Sequence, residues 1–221
     1  MSGVRRVRDV VTIDGPAASG KSTVAQRVAD RLGVPFVSSG LLYRAATRLA
    51  LDAGADPAGE DGLLSLLTDH DVSLIPDADG NRVLVGGRDV TAELHTDRVD
   101  EAVSTVAARP RVRAWVNARL REIDGPFVID GRDIGKDVFP DAVAKVYLTA
   151  RPEVRAARRV GERAAALHEV TDAIRRRDAL DARQSAPAED ATLIDTSDLD
   201  LDQVVGRVLA VVASRRDVAR P

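Results

Sequence analysis

The sequence predicts an α/β chain: five parallel strands in an open, doubly wound sheet flanked by helices, with an insertion after the second strand and a short arginine-rich segment late in the chain. Three observations carry that prediction. Short apolar, β-branched runs alternate with stretches of helical periodicity, the pattern of a parallel sheet. The first run, Val10–Ile13, leads into Gly15, Gly20, Lys21 and Ser22, which satisfy G-x-x-x-x-G-K-[ST] where a strand turns into a helix. A later run, Pro126–Asp130, passes directly into Gly131-Arg132-Asp133, at the carboxyl edge where open α/β sheets bind ligands.

Taken in order, the segment after Ser22 places Val24, Ala25, Val28, Ala29 and Leu32 at helical spacing. Pro35–Val37 reads as a second strand, and Ser38, Ser39 and Gly40 offer N-cap chemistry for a helix over Leu41–Ala53. Ala53–Gly62 has the composition of a loop, and Leu63–Leu67 of a short helix. Two β-type runs, DVSLI and RVLVGGRDV, flank a turn containing Asp79-Gly80-Asn81 and predict an antiparallel hairpin that interrupts the α/β alternation. Helices are expected over Asp97–Ala108 and over Arg111–Ile123, the second with Pro110 in its first turn. Strands resume at Pro126–Asp130, Val143–Leu148 and Thr192–Asp195, and Leu201–Ser214 closes with Val204, Val205, Val208, Leu209 and Val212 on one helix face. The expected division is a core of residues 1–45 and 109–221, an insertion of 46–108, and a lid of 151–183 within the second core segment.

Composition narrows the function. With 221 residues, 44% hydrophobic, the chain can bury a sizeable core, while aromatics at 3% exclude a base-stacking surface for single-stranded nucleic acid. A net charge of -3 argues against a general nucleic-acid binder. Charge is unevenly distributed: Ala55–Glu101 carries twelve acids against three arginines, whereas Arg151–Arg183 carries nine arginines against six acids, so a polyanionic ligand should be gripped by the second stretch. The absence of cysteine rules out disulfides, thiolate chemistry and cysteine-based zinc sites. His70, His95 and His168 lack ligand spacing and read as surface or packing residues. MSGVRRVRDV has no apolar signal core and no apolar run approaches membrane length, so a soluble cytoplasmic protein without a membrane partner is expected.

The glycine motif is an anion cradle. Gly15, Pro16, Ala17, Ala18, Ser19 and Gly20 form the loop, and Lys21, Ser22 and Thr23 open the helix, whose N-terminus adds partial positive charge. Lys21 should reach the β- and γ-phosphates of a nucleotide, and the Ser22 hydroxyl should ligate the Mg2+ that bridges them. At the other motif, Asp130, Gly131, Arg132 and Asp133 combine metal, phosphate and base-edge recognition within four residues; a turn held by an Asp–Arg pair is the structural alternative. Arg44, in the helix after the second strand, reads on its own as a solvated arginine. Arg155, Arg158 and Arg159 recur, with Arg151, largely on one helical face, and such forks can neutralise charge on a transferring phosphoryl group. Gly161 suits a hinge between them and Arg175–Arg177 with Arg183.

These segments also carry a resemblance. IDGPAASGKST, SSGLLYR, AVSTVAARPRVR, IDGRDIG, VFPDA and RRRDALD follow one another over nearly the whole chain in the order and spacing of bacterial cytidylate kinases. DGRD and the S-x-V-A-x-x-P-x-V-R stretch discriminate most, because the phosphate loop is shared by many unrelated nucleotide-binding proteins. The resemblance implies a P-loop nucleoside-monophosphate kinase fold and transfer of the γ-phosphoryl group of ATP to CMP or dCMP with Mg2+. It also implies that Ser39, Ser104, Arg113 and Asp133 form the cytosine pocket, that Arg44 and Arg132 bind the acceptor phosphate, and that Asp181, with Arg177 nearby, contacts the sugar hydroxyls. Lys21, Arg132 and Asp130 become the catalytic candidates. The insertion resembles the family's monophosphate-binding domain and residues 151–183 its lid. The spacing departs from the family at Asp181, which is followed by Arg183 at two residues and Pro187 at six, one residue short, so the role of Arg183 stays open.

Other readings are a P-loop kinase for UMP or another small acceptor, or a nucleotide-switch NTPase. The second should show an N-K-x-D guanine motif or a serine-glycine-glycine transporter signature, and neither occurs. Both substrates of a monophosphate kinase are small molecules, and a monomer is expected.

Overall fold

The computed structural model describes residues 9–77, 80–162, 170–172, 174, 175, 178 and 186–218. Its centre is a parallel sheet of five strands: β1 (Val10–Asp14), β2 (Phe36–Ser38), β6 (Phe127–Gly131), β7 (Ala144–Thr149) and β8 (Thr192–Asp195), in the order β2-β6-β1-β7-β8. The intervening strands β3 (Val72–Asp77), β4 (Gly80–Val85) and β5 (Arg88–Asp89) form a separate antiparallel sheet in sequence order. β1 and β6 lie inside the sheet with both faces covered and are buried along their whole lengths, whereas the edge strand β8 exposes Leu193.

Alternation along β1 and β6 builds two cores. Val11, Ile13 and Val128 face helices α1 (Lys21–Leu32) and α7 (Leu201–Val218), whose Val24, Val28, Val204, Val208 and Val212 complete that layer. Val10, Phe127 and Ile129 face the other way, against α2 (Gly40–Asp52) and α5 (Pro110–Arg121). The small sheet, with Val72, Leu74 and Val83, joins this second core, as do Leu63 and Leu67 of α3 (Glu60–Asp69) and Val106 of α4 (Asp97–Ala107). The inserted segment therefore packs against the main sheet through shared apolar residues, and α2 runs unbroken through residue 46.

Several local expectations change in the structure. Ser39 occupies the N-cap of α2 but makes no capping bond; its hydroxyl donates instead to the Asp130 carbonyl at 2.7 Å, so it ties α2 to β6. The loop expected over Ala53–Gly62 ends early, because Glu60 and Asp61 sit in the first turn of α3, where carboxylates favour the helix dipole. RVLVGGRDV is two strands, β4 and β5, split at Gly86 and Gly87. The Asp79 side of the hairpin turn lies outside the described residues. Between β6 and β7 the chain makes a π-helical turn over Ile134–Val138.

Candidate active site

The carboxyl edge of the main sheet brings the sequence motifs together. β1 pairs with β6 in parallel register, Ile13 opposite Asp130 and Asp14 opposite Gly131, so the phosphate loop and the Gly131-Arg132-Asp133 turn leave the sheet side by side. The loop is drawn tight over the end of β7: a Cβ on Gly15 would lie 2.4 Å from the Leu148 carbonyl oxygen, so only glycine fits there. Lys21 Nζ donates back to the Pro16 carbonyl at 3.3 Å, which curls the ammonium over the loop where phosphate oxygens would sit.

Beside this loop lies a cleft of about 260 Å³, slightly below the roughly 300–1,000 Å³ usual for small-molecule sites. Lys21, Ser22, Ser39, Arg44, Ser104, Arg113, Asp130, Arg132 and Asp133 all line it. A larger cleft of about 440 Å³, lined by Pro35, Ile75 and Phe127 among others, lies at the opposite, amino-terminal edge of the sheet and holds none of these residues. Position relative to the phosphate loop decides between the two, and volume does not.

Three arrangements within the smaller cleft bear on chemistry. The Ser22 hydroxyl donates to the Asp130 carboxylate, which is buried at the end of β6. With its hydrogen bond directed at Asp130, the Ser22 hydroxyl keeps its lone pairs for another partner, a donor set of hydroxyl plus carboxylate that suits a hard cation such as Mg2+. No cluster of three or more acidic or histidine side chains able to hold a metal exists among the described residues, so any such ion would draw further oxygens from phosphate and water.

The second arrangement is an ion pair between Arg113 of α5 and Asp133, whose side chains are 13% and 7% exposed. Arg113 also lies over the Tyr43 ring, 5.7 Å from its centroid. Burial weakens the hold of Arg113 on its proton, but Tyr43 and Asp133 outweigh it, and the guanidinium is held above its ordinary value. Burial raises the Asp133 carboxyl above its usual range, against the pull of Arg113. Burial also raises Tyr43, which stays a neutral phenol. The structural alternative, in which Asp133 orders the turn by pairing with Arg132 or Arg113, has its ion pair in Arg113; Arg132 donates to the Gly15 carbonyl at 2.7 Å.

The third is Arg44, which is not solvated. It donates to the Leu94 carbonyl at 3.0 Å and to Asp100 at 2.6 Å, both from the inserted segment. His95 follows Leu94, is exposed as its reading as a surface residue expects, and lines the same cleft. Burial, and then the charge of Arg44, lower its affinity for a proton and favour the neutral ring.

The arginine-rich helix α6 (Pro152–Glu162) meets the phosphate loop from the other side and does not line this cleft. Arg155 is buried, donating to the Ala17 and Ala150 carbonyls and, through both terminal nitrogens, to Asp178. Arg158 donates to the Ser19 carbonyl at 3.4 Å and to Thr196. Arg151 pairs with Asp198, and Arg159 is half-buried. Arg177, Asp181 and Arg183 lie outside the described residues.

Sequence reasoning missed Asp14, Tyr43, His95, Val103 and Ala107. Tyr43 could have been suspected as the neighbour of Arg44; the others carry no local signal.

The comparisons with known proteins agree with one another. A family model described as cytidylate kinase matches residues 11–214. The cytidylate kinase of Thermus thermophilus is 59% identical over 204 residues, covering 92% of this chain and 98% of that one. The cytidylate kinase of Deinococcus deserti is 56% identical over 206 residues, covering 93% and 100%. Among solved structures, a gluconokinase from Sinorhizobium meliloti aligns over 95% of this chain and 94% of its own with a TM-score of 0.51 at 16% identity, a likeness of fold alone.

Proposed function

The chain belongs to the cytidylate kinase family, and on that premise we propose how its cleft carries out the transfer of the γ-phosphoryl group of ATP to CMP or dCMP. The observation that carries the reading is a single cleft lined both by the phosphate-loop residues Lys21 and Ser22 and by the buried Arg113–Asp133 pair. One set of groups suits a triphosphate and the other the polar edge of a base, so a donor and an acceptor can meet in line between them.

In this reading the loop from Gly15 to Thr23 wraps the β- and γ-phosphates of ATP with its backbone N–H groups, and Lys21 neutralises charge on their oxygens. Ser22 and Asp130 would hold Mg2+, which supplies charge neutralisation across the β- and γ-phosphates. Arg132, braced by the Gly15 carbonyl, and Arg44, braced by Asp100 and the Leu94 carbonyl, grip the acceptor phosphate. That phosphate has a second pKa of about 6, so at neutral pH its oxygen attacks as the dianion and needs no protein base. Asp130 therefore acts by orienting Ser22 rather than by taking a proton.

Cytosine enters against Ser39, Ser104, Arg113 and Asp133. Its exocyclic amino group donates to the Asp133 carboxylate, and its carbonyl accepts from Arg113. Residues 46–108 form the acceptor-binding unit, since Ser104, His95 and the anchors of Arg44 all come from it. Residues 151–183 act as the lid, with Arg155, Arg158 and Arg159 on the ATP side; the family resemblance assigns Arg177 and Asp181 to the sugar and leaves the role of Arg183 open. Both substrates bind within one chain, so a monomer working in the cytoplasm is sufficient. Product analysis with γ-labelled ATP and unlabelled CMP tests the transfer: the label should appear in CDP. Label found only in inorganic phosphate would reject direct transfer in favour of hydrolysis.

A further inference from the structure

Asp14 is the last residue of β1 and 5% exposed, yet neither ATP nor CMP reaches it in the arrangement described above. Its two carboxylate oxygens are both engaged by the turn after β6. Oδ1 accepts from the Ile134 backbone N–H at 2.9 Å and Oδ2 from the Gly135 N–H at 2.8 Å. Those amides begin the π-helical turn immediately after Asp133. On the other side of the same short stretch, the Gly15 carbonyl accepts from Arg132. Two consecutive residues at the end of β1 thus fix the side chain of Arg132 and the backbone that carries Asp133.

The approach is close as well as bonded. A Cβ on Gly135 would lie 2.6 Å from Thr12 Oγ1 and 3.2 Å from Lys145 Cγ, so the turn sits directly on β1 and β7. A buried carboxylate satisfied by two successive amides is a stiff, bidentate clamp. Without it, two buried N–H groups would lack acceptors, at a cost that the turn could relieve only by moving.

We propose that Asp14 is a positioning residue for the acceptor base: it locks the Asp133–Gly135 turn onto the strand that carries the phosphate loop, and so sets where cytosine is read relative to the transferring phosphoryl group. The inference rests on the proposed function for its substrate and on the hydrogen bonds above for its mechanism.

Asp14→Asn is the test. It is nearly isosteric, replaces an ionisable carboxyl by a neutral amide, and retains one acceptor, while its amide nitrogen faces the other backbone N–H. We expect KM for CMP to rise about tenfold, KM for ATP to stay within twofold, and the preference for CMP over UMP to fall at least threefold. An unchanged KM for CMP with an unchanged preference overturns the inference, as does an equal rise in KM for both substrates. Site-resolved amide exchange reads the same clamp without relying on turnover or on the variant's folding. In the nucleotide-free wild type the Ile134 and Gly135 amides should be strongly protected, and rapid exchange there would overturn the inference. Wild-type turnover of CMP in the same series reports on the proposed function separately.

Discussion

Replacing Asp133 by asparagine removes one charge from a buried pair and keeps the volume. Arg113 is left with a side chain 13% exposed, over the Tyr43 ring, opposite a neutral amide. Removing one partner of a buried ion pair costs about 3–5 kcal/mol. The asparagine oxygen can still accept from the guanidinium, which recovers part of that, so a loss of about 2–3 kcal/mol is expected. For a chain of this size it corresponds to a lowering of Tm by roughly 4–12 °C. The effect on substrate choice should be larger. A carboxylate can only accept, so it welcomes the amino group of cytosine and repels the carbonyl of uracil, and such buried polar mismatches can reach about 10⁴-fold. Asparagine presents a donor and an acceptor and can rotate to meet either base. The preference for CMP over UMP should fall at least tenfold. The assay is kcat/KM for both acceptors on wild type and variant, with thermal melts of the nucleotide-free proteins. A lowered Tm with an unchanged CMP to UMP ratio would refute the reasoning and leave Asp133 as no more than the anchor of Arg113.

Three further outcomes follow from the same geometry. Lys21→Ala should lower kcat by about 10²–10³ while leaving the melting temperature nearly unchanged, since its ammonium contacts the loop and the ligand and not the core; near-normal turnover would contradict the phosphate-loop assignment. Asp100→Asn removes the carboxylate that holds Arg44 at 2.6 Å, and should raise KM for CMP several-fold with little change for ATP, measured by initial rates; equal effects on both substrates would remove Arg44 from the acceptor site. Burial holds the Asp14 carboxyl at about 7 against an ordinary 3.8, so the folded state keeps a proton that the unfolded state releases, and the stabilisation present below pH 4 is lost as pH rises through 7. Asp14→Asn lacks that titration and should gain on the wild type by up to about 4 kcal/mol between pH 4 and 8, read from denaturant melts; a difference independent of pH would contradict the buried, ionising carboxyl.

What was legible in the sequence was whatever its chemistry writes locally. The phosphate loop is a contiguous spacing, and the strands of the main sheet are short apolar runs, the inner ones buried on both faces, so pattern finds them to within a residue or two. The split at Gly86 and Gly87 was hidden because both halves are β-type and the break is two residues long. Helix α3 was shortened because Gly59 and Gly62 resemble loop composition, although Glu60 and Asp61 supply a good first turn. Pairings across the fold left no local trace. Arg113 and Asp133 are twenty residues apart on different elements, and only the family resemblance brought them to one pocket. Asp14 closes an apolar strand before a glycine, with nothing local to mark it; its two amide partners are 120 and 121 residues away. Ser39 stands 91 residues from its carbonyl on β6, so a hydroxyl that reads locally as a cap is a brace.

The central claim is that this cleft accepts a cytidine monophosphate and selects it by the base edge. Its most direct test is the specificity constant of the wild-type enzyme, from coupled ADP release with ATP and Mg2+, for CMP, dCMP, UMP, AMP and GMP in turn. CMP and dCMP should stand well above UMP, with AMP and GMP lower still because a purine is larger and presents a different edge to Asp133 and Arg113. A rate with CMP and dCMP no higher than with UMP, or ADP release above background with a purine monophosphate alone, would contradict the account.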